Sequence, residues 1–334
     1  MRVAAKFILH ITRFKFKMSD VLFHIGYYKT GSTFLQRRVF TLDNGFCPLG
    51  SGQVFPYDDV RGGSEKIIFD TDGDVRSIWD AEYSDTLFRA QSRGGGVRVL
   101  SHERFLGYPF AGGQDAKSIA ERLHGLMPNA KILIVIREQR DLMRSLYVQY
   151  LRRVGSQSLH DLVSRKLEWR LPQFSKSYLE FDRPLDWYAQ RFGKNNLLVL
   201  PYELLRFNQT LFVNDIMDFC GLETRWEQAK QRENDTQALT ANLLLRKFSS
   251  LFISDSLNGF SYPLINLGNT RMESFKRGIS YFIPKKLDRF WIRRMEREIE
   301  QIFPSNTFFK TNANAQRYTH YDLKTYNYDW LCRS

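Results

Sequence analysis

Cysteine is scarce. The 334 residues hold three, Cys47, Cys220 and Cys332, far apart and without a CxxC pair. That excludes a disulfide framework and fits a reducing compartment. The six histidines do not cluster with the cysteines, which disfavours a Cys/His zinc site. Long apolar runs are also missing. No stretch reaches the roughly 20 residues needed to cross a bilayer. The apolar run within the first 18 residues, MRVAAKFILHITRFKFKM, is too short and interrupted for a secretory leader. There is no internal repeat and no low-complexity run. No RNP, KH or helix-turn-helix pattern occurs and the basic residues are dispersed, so nucleic acid is not the expected partner.

What is present is positive charge and aromatic mass. Lys and Arg number 49 against 36 Asp and Glu, a formal charge of +13. Such a surplus points to an anionic partner. Aromatic residues make up 15%, enough for a ring-lined cleft, and 43% hydrophobic content supplies a sizeable core. Residues 1–18 carry five basic residues and no acid. They read as a basic extension outside the fold, with either Met1 or Met18 as the working start. Residues 19–334 then form one domain, with a helical elaboration around 237–303.

The patterning alternates between strand and helix. VLFHIG (21–26) is a short apolar run that breaks into a Gly/Ser/Thr loop, and a helical period starts at Thr33. Residues 41–75 read as an irregular excursion and 76–92 as a helix. VRVLS (97–101) and KILIVI (131–136) are buried strands around a helix at 115–126. Asp141 stands at an N-cap position before LMRSLYVQYLRR. NLLVLPY (196–202) is a fourth strand, followed by a helix at 209–220 that stops at Gly221. Residues 237–252 and 287–303 read as helices. Strands separated by helices, without polar alternation, imply a three-layer α/β/α domain with a central parallel sheet, P-loop-like, and a helical C-terminal part. Ligands in such sheets bind at the carboxyl ends of the strands. This marks loops 26–33, 101–107, 137–145 and 202–206.

The first of these loops is Gly26-Tyr27-Tyr28-Lys29-Thr30-Gly31-Ser32-Thr33. Gly26 and Gly31 have the spacing of GxxxxGK[ST], and Thr33 holds its hydroxyl position. Ser32 stands where the lysine belongs, and the lysine lies inside the loop. A loop of this kind at a helix N-terminus cradles an anion. Lys29, moved inward, must meet the phosphate nearest the nucleoside. A metal-dependent triphosphate enzyme also needs an aspartate at a strand end. The strand ends here give Ser101-His102-Glu103 and Arg137-Glu138 instead. A P-loop kinase or NTPase is thus the weaker alternative.

HIGYYKTGSTFLQ (24–36) resembles the 5′-phosphosulfate loop of the sulfotransferases, in the HIG…KTG[ST]T…LQ form of the bacterial and carbohydrate-type members. KILIVIREQRDLMRSLYVQYLR is similar to the second signature of that family. It places Arg137 at a strand end and Ser145 eight residues on. NLLVLPYELL resembles the family's strand ending in a Tyr-Glu pair. The likeness spans about residues 20–225; the glycine-rich RKGxxG loop of the cytosolic small-molecule branch is absent.

The resemblance implies a sulfotransferase fold and transfer of a sulfuryl group from 3′-phosphoadenosine 5′-phosphosulfate (PAPS) to an acceptor hydroxyl. The product is adenosine 3′,5′-bisphosphate (PAP), and no metal is expected. Lys29 would neutralise the leaving phosphate, with Thr30, Gly31, Ser32 and Thr33 forming the cradle. Arg137 and Ser145 would hold the 3′-phosphate, and Tyr202 would contact adenine or simply pack in the core. Glu103 is the expected base, with His102 as the other candidate. His24, within the first strand, reads as a satisfied core histidine or one that acts on a ligand only through another residue, not as a ligand. The acceptor is expected to be a saccharide, with a lipid or small metabolite as alternatives. Between Arg271 and Arg294 eight Lys or Arg face only Glu273 and Asp288. This reads as a solvated helical face or as a patch for an acceptor or membrane surface. The enzyme is expected in the cytoplasm, with peripheral contact to the inner face of the membrane.

Overall fold

A computed structural model describes residues 21–51, 96–152, 155, 157–164, 174–223, 225, 226, 243 and 285–329. The expected extension 1–18, the helix at 76–92 and nearly all of 237–284 lie outside these residues, as does Cys332.

Five strands form one parallel sheet in the order β2-β3-β1-β4-β5. They are β1 (Val21–Gly26), β2 (Phe46–Ser51), β3 (Val97–His102), β4 (Lys131–Ile136) and β5 (Leu197–Pro201). The helices are α1 (Ser32–Phe34), α2 (Ala116–Leu126), α3 (Gln139–Arg152), α4 (Leu159–Ser164), α5 (Asp182–Phe192), α6 (Tyr202–Phe207), α7 (Gln209–Cys220), α8 (Lys285–Ile302) and α9 (Phe309–Ala315). A π-helical turn, Leu35–Val39, prolongs α1.

The period-2 alternation of a strand sends successive side chains to opposite faces. Val21, Phe23 and Ile25, with Ile132, Ile134 and Ile136, join a core with α2, α3, α5 and α8. Leu22, Leu133, Val135 and Leu200 join the other core, against Leu35, Val39 and α7. Both faces are covered, which is why these strands read as unbroken apolar runs. The expected three-layer architecture is observed.

Three details differ from the sequence reading. Residues 46–51 are a strand inside the expected irregular excursion. Phe46-Cys47-Pro48-Leu49-Gly50-Ser51 has poor strand composition because it is an edge strand, with a register break between Pro48 and Gly50. The helix after the loop is a single α turn that relaxes into a π turn. Asp141 is not the cap of α3. Glu138 accepts from the N–H groups of Arg140 and Asp141 at 3.0 and 2.7 Å, and Asp141 sits in the first turn.

The C-terminal residues strap the sheet's carboxyl edge. Gln139 Nε2 donates to Asn312 Oδ1 at 2.5 Å. Tyr328 donates its hydroxyl to Glu203 at 3.1 Å. Arg140 reaches both oxygens of Asp329 at 2.8 and 3.0 Å, and Asp329 also accepts from the Phe308 N–H at 3.0 Å. Asp329→Ala should destabilise the fold by about 1–2 kcal/mol, because it removes the two-oxygen acceptor of Arg140, which keeps Glu138 and two carbonyls, and the acceptor of the Phe308 N–H. Urea unfolding measures this; a loss under about 0.5 kcal/mol would mean the strap is held elsewhere.

Candidate functional site

The loop after β1 is braced from inside. Thr30 is fully buried and donates its hydroxyl to Tyr27 O at 2.5 Å. Its side chain therefore holds the loop, and any ligand contact from Thr30 would come from its backbone. Tyr27 is buried against the rings of Tyr178 and Phe181, with centroids 5.2 and 4.9 Å away. Gly31 has φ +88°, and a Cβ there would lie 2.6 Å from Leu205 Cδ2. Only glycine fits both constraints. Lys29 has φ +66° and sits in the left-handed region without being glycine. Ser32 is buried, and Thr33 is half-buried on the first helical turn.

Arg137 joins this loop from the end of β4. Its Nη1 donates to Lys29 O at 2.6 Å. Its Nε and Nη2 both donate to Asp141 Oδ2, at 2.8 and 2.5 Å. The guanidinium lies 4.6 Å from the centre of the Tyr202 ring, a cation–π distance. Tyr202 opens α6 and its ring also lies against Gly31. Lys29, Arg137 and Tyr202 thus meet although 108 and 65 residues separate them. Three of the five N–H donors of Arg137 are committed. Ser145 is half-buried in α3, four residues beyond Asp141.

The carboxylates around Arg137 diverge. Burial alone would raise Asp141, but Arg137 and Arg144 outweigh it and hold its pKa below the usual value. Burial dominates for Glu138 and Glu203 and pushes both up. Glu203 accepts from the Glu138 N–H at 3.0 Å, so it anchors the start of α3 to the end of β5. Arg144 bonds Asp141 and also Glu296 of α8.

On the other side of β1, Ile25 registers against His102. Glu103 follows immediately and opens a short 3₁₀ turn. It is half-buried and acts electrostatically on the Tyr178 phenol, which burial raises well above its usual pKa. His102 Nδ1 accepts from the Arg104 N–H at 3.0 Å. Burial, aided by Arg104, lowers the His102 pKa to about 4.

The sequence reading missed Asp141 as the partner of Arg137, although an i,i+4 spacing from the arginine was visible. It also missed Glu203, although the Tyr-Glu pair marked its place, and Tyr328, for which no local signal exists. A groove of about 730 Å³ runs beside α8, lined by Lys176, Arg294, Arg297, His160, Glu298 and Phe290 among others. Among the described residues, no helix is long and apolar enough to cross a membrane, and no three His, Cys, Asp or Glu are grouped as a metal would need.

Residues 116–228 match the profile of a sulfotransferase family. That segment holds Arg137, Ser145 and Tyr202, while the Lys29 loop and Glu103 precede it. Three solved structures are similar. A sulfotransferase from Alicyclobacillus acidocaldarius has 18% identity and a TM-score of 0.46, over 70% of this chain and 92% of the other. The sulfotransferase domain from the curacin biosynthetic pathway has 13% identity and a TM-score of 0.39, over 85% and 97%. Mouse sulfotransferase SULT7A1 complexed with PAP has 13% identity and a TM-score of 0.38, over 91% and 90%. No curated protein matches the chain.

The left-handed backbone at Lys29 gives a direct test. At an ordinary position alanine is more stable than glycine by roughly 0.5–1 kcal/mol. Here the order should reverse, with Lys29→Gly more stable than Lys29→Ala by about 1 kcal/mol. Thermal unfolding of the two variants decides it; an alanine variant equal to or above the glycine variant would show that the loop is not held in this conformation.

Proposed function

We propose that this chain, whose residues 116–228 match the profile of a sulfotransferase family, transfers a sulfuryl group from PAPS to an acceptor hydroxyl. The observation that carries this reading is the meeting of the Lys29 loop with Arg137 at 2.6 Å, under the Tyr202 ring. The loop would take one anionic group and the two N–H groups of Arg137 not committed to Lys29 and Asp141 would take another, as a donor with a 5′-phosphosulfate and a 3′-phosphate requires. In the reaction the sulfur–oxygen bond to the 5′-phosphate breaks and one to the acceptor oxygen forms. Negative charge grows on the leaving phosphate, where Lys29, Ser32 and Thr33 would stabilise it. Ser145 would share the 3′-phosphate with Arg137.

Glu103 is the base we assign, and it takes the acceptor proton. His102 is the weaker candidate. Its Nδ1 is occupied by a backbone N–H, so the neutral ring carries its proton on Nε2 and has no free lone pair to take one. The acceptor we propose is a saccharide, and the basic groove beside α8 favours one that is itself acidic. The described part of the basic 271–294 stretch forms the start of α8, and it supports peripheral contact with an anionic membrane surface from the cytoplasmic side.

Thermal shift with PAP, beside ATP with magnesium, tests the donor. PAP at about a hundred times its dissociation constant should stabilise the protein by about 2.7 kcal/mol without metal. Arg137→Lys keeps the charge but loses the fork and should bind PAP at least tenfold more weakly. A shift with ATP–magnesium alone would sink the donor assignment.

Glu103→Gln should retain PAP binding and lose roughly a hundredfold in kcat, as for removal of a general base. Turnover within a few fold of the parent would take Glu103 out of that role.

A further inference from the structure

Behind the loop lies a buried polar cluster that the reaction scheme does not use. His24, Ser32 and Ser101 are 0%, 2% and 3% exposed. His24 and Ser101 are register partners on β1 and β3. His24 Nδ1 and Ser101 Oγ are 2.7 Å apart. The π turn carries Gln36 over the same point, with its Nε2 3.1 Å from Ser101 Oγ and 3.3 Å from Ser101 O. Two other atoms are buried with no hydrogen-bond partner among the described residues: His24 Nε2 and Ser32 Oγ. They flank Gly26 together. A Cβ on Gly26 would sit 3.3 Å from the first and 3.2 Å from the second. Leaving both unsatisfied is costly, and each is the nearest polar group to the other's side of Gly26.

We infer that His24 is a positioning residue, which through Nε2–H makes Ser32 Oγ an acceptor on its inner side and so turns the Ser32 proton outward to the anion in the loop. This rests on the phosphosulfate reading of the loop given above.

The direction of the chain follows from counting protons. A carbonyl oxygen only accepts, so the Gln36 group facing Ser101 O must be its NH₂, which settles the amide orientation. The same NH₂ gives its second proton to Ser101 Oγ. Ser101 Oγ could also accept from Nδ1–H, but its own proton has no acceptor among the described residues other than His24 Nδ1, so it goes there. Burial lowers the His24 pKa to about 3, so the ring is neutral and carries one proton. With Nδ1 accepting, that proton is on Nε2. It points at Gly26 and Ser32, whose own proton is left for the ligand. The chain runs one way, from the β3 backbone to the loop hydroxyl. A hydroxyl fixed as a donor meets the charge that grows on the leaving oxygen, with no reorientation during transfer.

The experiment has two readouts on the full chain. Long-range ¹H–¹⁵N correlation of histidine-labelled protein, with His24 assigned by its loss in His24→Gln, reports the tautomer. The expected result is a neutral ring protonated on Nε2 and not titrating between pH 5 and 8. A proton on Nδ1, or titration near 6.5, overturns the inference whatever the donor is. The second readout is a double-mutant cycle on turnover with PAPS. His24→Gln should lower kcat about tenfold with little change in KM for the donor, and less than twofold when Ser32 is already alanine. Equal losses in both backgrounds would make His24 a structural residue only and overturn the inference, while PAP binding by the parent would leave the donor reading standing. Should His24→Gln fail to fold, the tautomer, then assigned by elimination with the other five histidines substituted singly, still decides.

Discussion

One guanidinium fixes the geometry at the carboxyl end of the sheet. Arg137 is only 8% exposed and touches three separate parts of the chain. It holds the loop through Lys29 O, the first turn of α3 through Asp141, and the entry to α6 through the Tyr202 ring. A charge this deep is tolerable only when paired and hydrogen-bonded, and Asp141 supplies both conditions. The two bonds to one carboxylate oxygen are charge-assisted and stronger than neutral ones. Because the three contacts share one rigid planar group, moving any of them moves the others. The loop's position is therefore set by a residue more than a hundred positions away.

The carboxylates distribute that constraint. Asp141 stays ionised because two arginines face it, and Arg144 carries the network on to Glu296. The basic helix α8 is thereby tied to α3, the helix that follows Arg137. Glu138 and Glu203 work differently. Both accept backbone N–H groups at the start of α3, and burial raises the pKa of each. They fix α3 against β5, so the direction in which Arg137 leaves β4 is not free. The C-terminal strap closes the same corner through Tyr328 and Asp329. The end of the chain thus supports the site although no motif marks it.

The sheet was legible because its strands are covered on both faces and have one apolar run each. KILIVI needed no context. The loop was legible because the Gly26–Gly31 spacing marks it, and Gly31 does a job that other residues cannot. Gly221 was correctly read as a stop, with φ +74° at the end of α7. β2 was not legible, since an edge strand tolerates Pro48 and Gly50 and so looks like a turn. The π turn was not legible either. It changes the register of Gln36 without changing composition, and only the contact with Ser101 reveals its effect. Asp141 was misread because an acidic residue two positions into a helix looks like a cap, and the cap was the glutamate before it. Long-range partners such as Glu203–Tyr328 leave no trace in local pattern, because nothing adjacent to either residue reports on the other.

The stretch from His24 to Ser32 combines several departures from an unstrained fold. The apolar core of the sheet shows none of them. Across β4, Ile132 to Ile136 are all fully buried. Within the loop, by contrast, Lys29 adopts a left-handed backbone, and two buried polar atoms lack partners. Among the described residues the other non-glycine positions with positive φ are Asn306 and Asn327. Asparagine enters that region readily through its own local hydrogen bonding, and lysine does not. A sequence selected for folding alone would place glycine or asparagine at position 29. The lysine is retained against its backbone preference, so its reason lies in what the loop holds and not in what holds the loop.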